Sequence, residues 1–528
     1  MPAHEEDRCA AGGEAGHRSR GPGGPGPGGC RGAPADDRGR RGDHPGGRPH
    51  EHNSATCGEA GRRRHRTLRG DRVRPSGRAG DFAEGRRGVA HSPLRRVPVT
   101  ARPALVRAVG PIGLTAIAIN GVIGAGIFVM PATVAGILGP ASTLAYVLAG
   151  AVAILVALSF AEAGSYFDRA GGPYLYAREA FGPFIGFQAG WMFLFGRLAG
   201  AAAIANAFAA YLGYFLPAMQ TAAGRATAIA VAITAIGALN YAGVRYGSMV
   251  VNLLTAAKLI PLLIFIGAGA VLVDLPAAVP AAPPDFQRLR EASLVLLFAL
   301  GGFEFASVPS EEVISPRRYL PTAIVIAIAL SVAVYLLVHI VCVGALPGLG
   351  SNATPLASAA QRFLGPAGAA LMAAGAVFST TGTNSTILLI GPRILYALAG
   401  GGHLPPALAK VHPRFRTPHV AVAVFTSATL PLALSGTFVT LAALNAIARL
   451  LYSITTCAAI PILRRRTPPE ERTFTLPFGP LIPALGVAAS VFLLTGVNRT
   501  QAMVGLAGLA GGAVVYWAKP RSWAKTPE

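Results

Sequence analysis

The sequence predicts an all-α integral membrane protein. Twelve transmembrane helices are expected, as a five-plus-five inverted repeat with helices 1 and 6 broken, plus two extra helices. Three observations lead there. Of 528 residues, 52% are hydrophobic and only 13% charged, whereas a soluble domain averages about 25% charged. From Ile112 onward, apolar runs recur at the length that crosses a bilayer, about 20 residues each. Two of these runs, five helices apart, have glycine clusters at their centres: Asn120-Gly121-Val122-Ile123-Gly124-Ala125-Gly126 and Phe298-Ala299-Leu300-Gly301-Gly302-Phe303-Glu304.

The chain opens with a different material. Residues 1–100 are rich in Arg, Gly and Pro, with no lysine. Such a segment cannot bury enough apolar surface to offset its ordering entropy, so it reads as a disordered extension. Its residues favour GC-rich codons, so one reading is translated upstream sequence from a start chosen too early. The other is a basic arm for anionic lipid or nucleic acid. Interspersed acidic residues and the absence of aromatic interleaving disfavour that arm, and no nucleic-acid partner is expected. No apolar h-region follows the early charges, which excludes a signal peptide. The five cysteines (Cys9, Cys30, Cys57, Cys342 and Cys457) lack metal-ligand or CxxC spacing. Neither a metal site nor a disulfide framework is indicated, and no cofactor is expected.

Spans are expected near 112–138, 141–166, 184–216, 226–243, 247–273, 292–314, 320–346, 366–399, 419–434, 438–462, 478–495 and 501–518, within a membrane domain of residues 101–518. The positive-inside rule tests them. With the N-terminus cytoplasmic, inner loops carry Arg169 and Arg178, then Arg245, Arg317 and Arg318, Lys410, Arg414 and Arg416, and Arg464, Arg465, Arg466 and Arg472. The tail 519–528 adds Lys519, Arg521 and Lys525. Outer loops carry few: Arg225, Arg288 and Arg290 beside Asp285 and Glu291, Arg362, and Arg499. The alternation supports twelve spans with both termini cytoplasmic, in a cell membrane whose lipid is the protein's solvent. Helices 1–5 and 6–10 then have opposite topology, and helices 11 and 12 stand outside the repeat.

Glycine inside a helix costs about 1 kcal/mol relative to alanine. Unwound backbone at membrane depth is tolerated only where it is buried or lines a cavity. A matched pair of such breaks in two halves of a chain is the pattern that builds a solute site at the bilayer midplane.

An ionisable residue at a span centre costs at least about 2.5 kcal/mol, so each requires an account. Lys258 lies mid-helix with no carboxylate nearby in sequence. An ammonium held away from water can exchange its proton, which makes Lys258 a candidate for proton coupling; a structurally paired or snorkelling lysine is the alternative. Glu304 closes the second break, where it is suited either to gating or to capping the broken helix. Glu162, at the inner end of the second span, reads as structural. Arg197 and Arg449 are suited to a substrate carboxylate, as possible specificity residues, or to pairing with Glu162 or Glu304. Phe298 stands where an aromatic ring can cover a ligand.

Several segments together resemble the amino acid–polyamine–organocation permeases. They are Ile123-Gly124-Ala125-Gly126-Ile127-Phe128; Phe160-Ala161-Glu162 with Ala170-Gly171-Gly172-Pro173-Tyr174; and Phe298 to Glu304 with Ser310-Glu311-Glu312-Val313, Pro316-Arg317-Arg318 and Pro321. Arg393-Ile394-Leu395-Tyr396-Ala397-Leu398, Leu404-Pro405 and Val411 to Pro418 complete the set. The likeness runs in order over about 105–518. It implies the inverted-repeat fold and alternating access without ATP. It also implies that amides of Gly124, Ala125 and Gly126 hold an amino acid's α-carboxylate, and that carbonyls of Ile123, Phe298 and Gly301 hold its α-amine. Phe298 takes the place of a gating aromatic. Lys258 takes the place of a sodium ion, as in some proton-coupled members. Relatives that bind arginine have tryptophan where Phe298 stands, and Arg197 and Arg449 make a polycation an awkward guest.

The function expected is therefore a secondary active amino acid transporter coupled to protons, and not an enzyme. An amino acid/amine exchanger and a transporter-like nutrient sensor are the alternatives, the latter lacking a sizeable signalling domain. A multispan transferase would need a catalytic constellation that His339, His403, His412 and His419 do not form. Neither the substrate nor the oligomeric state is legible.

Overall fold

The computed structural model describes residues 109–167, 171–243, 248–273, 285–307 and 313–520. The extension 1–100, Ser310 to Glu312, Arg169, Arg245 and the tail beyond Pro520 lie outside the described residues. Fourteen α-helices run through what is described: α1 (Pro111–Val122), α2 (Gly126–Leu138), α3 (Ser142–Ser165), α4 (Gly172–Phe181), α5 (Pro183–Phe215), α6 (Ala222–Ala242), α7 (Ser248–Leu272), α8 (Phe286–Leu296), α9 (Pro316–Ala345), α10 (Pro355–Gly400), α11 (His419–Ser435), α12 (Phe438–Arg466), α13 (Leu481–Leu494) and α14 (Arg499–Ala518). Among the described residues no strand forms, and Val109 and Val313 make an isolated bridge.

Local chemistry marks the ends. Proline opens α1, α4, α5, α9 and α10, where its missing N–H would have no partner anyway. Asp285 caps α8 by accepting from the Gln287 and Arg288 amides. Reciprocal capping boxes open α12 (Thr437 with Thr440) and α14 (Asn498 with Gln501). Gly243, at φ +73°, ends α6 in the left-handed region that a side chain disfavours.

Among the described residues, seven helical stretches are long and apolar enough to cross a membrane: Pro111–Ser165, Pro183–Phe215, Ala222–Ala242, Pro316–Ala345, Pro355–Gly400, Phe438–Arg466 and Arg499–Ala518. Three shorter apolar helices accompany them, Ala257–Leu272, His419–Ser435 and Leu481–Leu494. Two features differ from the sequence expectation. A ten-residue helix, α4, occupies what reads as a loop. α10 begins eleven residues before the expected span at 366, with Gly365 at φ +70° marking a kink inside it.

α5 is the central column and packs along α12, α10 and α4, while α3 lies along α9. Its Gly196, Ala199, Gly200, Ala201, Ala202 and Ala203 keep its surface thin enough for close approach. In lipid, where apolar burial gives helices little reason to associate, such small-residue contacts supply the packing.

One clamp secures the end of α3. Glu162, at 0% exposure on α3, accepts from Arg464 Nε at 2.5 Å and Nη2 at 2.6 Å, from Tyr166 Oη at 2.6 Å and from the Leu476 amide at 3.0 Å. The carboxylate thus joins α3, the end of α12 and the segment before α13. Glu162→Ala strips the part-buried Arg464 guanidinium of its counter-charge and leaves the Leu476 amide without its acceptor. The detergent-purified variant is expected to melt several degrees below wild type in a thermal-unfolding scan.

Candidate functional site

The first break separates α1 from α2. Ile123 still donates its amide to Ile119 O at 2.8 Å, but its ψ of 88° takes the chain out of the helix, and the helical path resumes at Gly126. The second follows α8. Turns carry the chain from Leu297 to Leu300, Gly301 and Gly302 lie outside any regular element, and a 3₁₀ turn begins at Phe303. Gly302 sits at φ +114°, which glycine alone tolerates readily.

The two breaks meet backbone to backbone. A Cβ on Gly302 would lie 2.1 Å from Gly121 O, one on Gly121 would lie 2.5 Å from Gly302 O, and one on Gly126 would lie 2.4 Å from Ala299 Cβ. Glycine is therefore required here for proximity as well as for unwinding. Gly301 is covered differently: its face is occupied by the Arg449 guanidinium, 1.6 Å from where a Cβ would stand.

Charged side chains hold each break. Lys258, on α7 and 1% exposed, donates from Nζ to Asn120 Oδ1 at 2.6 Å, Thr383 Oγ1 at 3.0 Å and Ile123 O at 3.3 Å. Tyr335 Oη on α9 donates to Val122 O at 3.2 Å. Freed carbonyls at the end of α1 thus acquire new donors, as membrane burial demands. At the second break, Glu304 accepts the Gly302 amide at 2.9 Å. The same carboxylate receives Arg449 Nη1 at 2.8 and 3.0 Å, Arg197 Nη2 at 3.1 Å and Tyr452 Oη at 2.8 Å. Arg197 also lies between the rings of Phe193 and Phe305, 4.9 Å from each centroid. Two guanidiniums against one carboxylate leave this cluster with a formal excess of one positive charge.

A cavity opens between the breaks. Gly124, Ala125, Gly126, Phe298 and Gly301 line it, with Arg197 and Arg449 on its wall. Phe298 meets Phe438 edge-on at 5.5 Å. Ile123, Lys258 and Glu304 sit one bond behind that lining, while Glu162 belongs to the clamp with Arg464 and none of its partners lines the cavity. Both arginines pair with Glu304 rather than Glu162. Sequence reasoning missed Asn120, Thr383, Tyr335, Tyr452 and Asn445. The available signals were single polar residues in apolar runs, such as Asn445, and the polar stretch Ser379 to Asn384.

Against this geometry, comparison with known proteins is decisive. The family model described as amino acid permease matches residues 109–517. The chain belongs to the amino acid permease family. Relatives from Bacillus subtilis (strain 168) include a branched-chain amino acid permease, 29% identical over 80% of this chain and 95% of the relative. A serine/threonine exchanger is 30% identical over 79% and 98%. A methylthioribose transporter is 28% identical over 78% and 93%. The permease is thus a member of a transport family within the amino acid–polyamine–organocation superfamily, and its relatives are carriers rather than enzymes.

Glu304→Gln leaves two buried guanidiniums around a neutral amide, a change of the kind that costs about 3–5 kcal/mol. A marked fall in thermal midpoint is expected. Adding Arg449→Met to that variant removes one stranded charge and is expected to recover part of the loss in the same scan.

Proposed function

We propose that this permease is a secondary active transporter that carries amino acids across the cell membrane by alternating access, driven by protons. In this reading the chain spans the membrane twelve times with both termini cytoplasmic. Its first span is α1 with α2, its sixth begins with α8, and α13 and α14 lie outside the inverted repeat.

An amino acid's carboxylate binds at the amides of Gly124, Ala125 and Gly126, where the N-terminal end of α2 favours an anion. Its ammonium binds at carbonyls of Ile123, Phe298 and Gly301. Phe298 closes over the ligand. Glu304 holds the second break together with Arg197 and Arg449, and Glu162 remains a structural clamp.

The observation that carries proton coupling is Lys258. Its three contacts, Asn120 Oδ1, Ile123 O and Thr383 Oγ1, match the three donors of an ammonium. Among the described residues no carboxylate pairs with it. A neutral amine has one donor fewer and no charge, so loss of the proton weakens the link between α7, α10 and the first break. Proton transfer and the shape of the substrate site are thereby coupled. The ammonium also meets the carbonyl end of α1, where a cation is favoured.

Exchange is the second reading, supported by the relative named as a serine/threonine exchanger. Uptake into proteoliposomes separates the two. A proton symporter accumulates amino acid under an imposed pH gradient with an empty lumen, whereas an obligate exchanger requires amino acid inside. Lys258→Ala is expected to abolish gradient-driven accumulation. Full gradient-driven uptake by this variant would contradict the coupling role.

A further inference from the structure

Asn445 lies on α12, one helical turn before Arg449, and like Arg449 it lines the cavity between the breaks. Its surroundings determine which way its amide faces. Nδ2 donates to Gly196 O on α5. A carbonyl can only accept, so the nitrogen must take that side and the oxygen the other. Gly200, one turn further along α5, leaves room for the amide: a Cβ there would lie 2.8 Å from Nδ2. The side chain is 3% exposed, and its Oδ1 is buried without a hydrogen-bond partner. Arg449 Nε is likewise buried and unpaired. Asn445 and Arg449 thus bring one unmet acceptor and one unmet donor to the lining of the same cavity.

We infer that Asn445 is a specificity residue that selects neutral amino acids whose side chains carry a hydrogen-bond donor, hydroxyl side chains above all. This inference rests on the amino acid transport reading. A hydroxyl donates to Oδ1 and still has lone pairs for a donor of the lining such as Arg449 Nε. An aliphatic side chain of the same size would leave them dry and unpaired, the situation that makes a polar site reject an apolar isostere. A carboxylate side chain would set an anionic acceptor against the Oδ1 acceptor, and the guanidiniums that would attract it are already engaged by Glu304. A cationic side chain would face a wall whose Glu304, Arg197 and Arg449 carry one excess positive charge.

Threonine and valine are near-isosteres and form the test pair. The full-length protein is reconstituted, and each amino acid competes for counterflow of radiolabelled serine. Wild type is expected to favour threonine over valine by about ten-fold, the scale of one hydrogen bond to a buried group. In Asn445→Ala the threonine-to-valine ratio is expected to fall close to one. A wild-type ratio near one overturns the inference whether or not any variant folds. An unchanged ratio in Asn445→Ala also overturns it. A parallel loss for both amino acids would instead assign Oδ1 to the shared α-ammonium and overturn the side-chain role. Absence of counterflow with every amino acid in wild type would overturn the transport reading and this inference together. Transport without hydroxyl preference would overturn the inference alone.

Discussion

The contact between the two broken segments is the constraint on which the rest of the structure depends. Gly121 against Gly302 and Gly126 against Ala299 bring main chain onto main chain inside a membrane protein, where no solvent is at hand to satisfy what unwinding releases. The protein answers with opposite charges. At the end of α1 the released groups are carbonyls, and the Lys258 ammonium and Tyr335 hydroxyl meet them. At the second break the released group is the Gly302 amide, and the Glu304 carboxylate meets it. Cation at carbonyl and anion at amide is the arrangement that helix-end electrostatics favours. Those charges then require partners of their own, which explains why polar residues from α5, α10 and α12 converge on the centre.

This convergence gives the two breaks different neighbours. Lys258 joins the first to α7 and α10 through three neutral acceptors. Glu304 joins the second to α5 and α12 through two guanidiniums and a phenol. A change of proton occupancy at Lys258 alters the first set, whereas the second is a saturated ionic cluster. Any relative movement of α1 and α8 must slide or part the glycine contacts, since packed interfaces switch between discrete arrangements rather than deform continuously. The cavity sits at that seam, so its contents act on the same contacts.

Much of this was legible as composition and position. The glycine clusters stood out because helices avoid them, and Lys258, Glu304, Arg197 and Arg449 stood out because apolar spans exclude charge. Pairing was less legible. Arg464 reads as an inner-loop charge, yet it is the partner of Glu162, which leaves Glu304 to take both Arg197 and Arg449. Two acids and three arginines on distant segments admit several matchings, and only the packing of α3, α5 and α12 selects one. Asn120, Thr383 and Asn445 were harder still, because a lone polar residue in an apolar helix has no periodicity or spacing to mark its role. α4 was missed because ten residues between two spans read as a loop. The early start of α10 was hidden by Gly365 and Pro366, which punctuate a helix that resumes beyond them.

In the proposed reading the facing breaks form one amino acid site. The most direct test is a structure of the protein in lipid nanodiscs, determined by electron cryomicroscopy with a transported amino acid bound. Ligand density is expected between the breaks, its carboxylate on the amides of Gly124 to Gly126 and its ammonium on carbonyls of Ile123, Phe298 and Gly301. An amino acid bound elsewhere, with the space between the breaks empty, would contradict it.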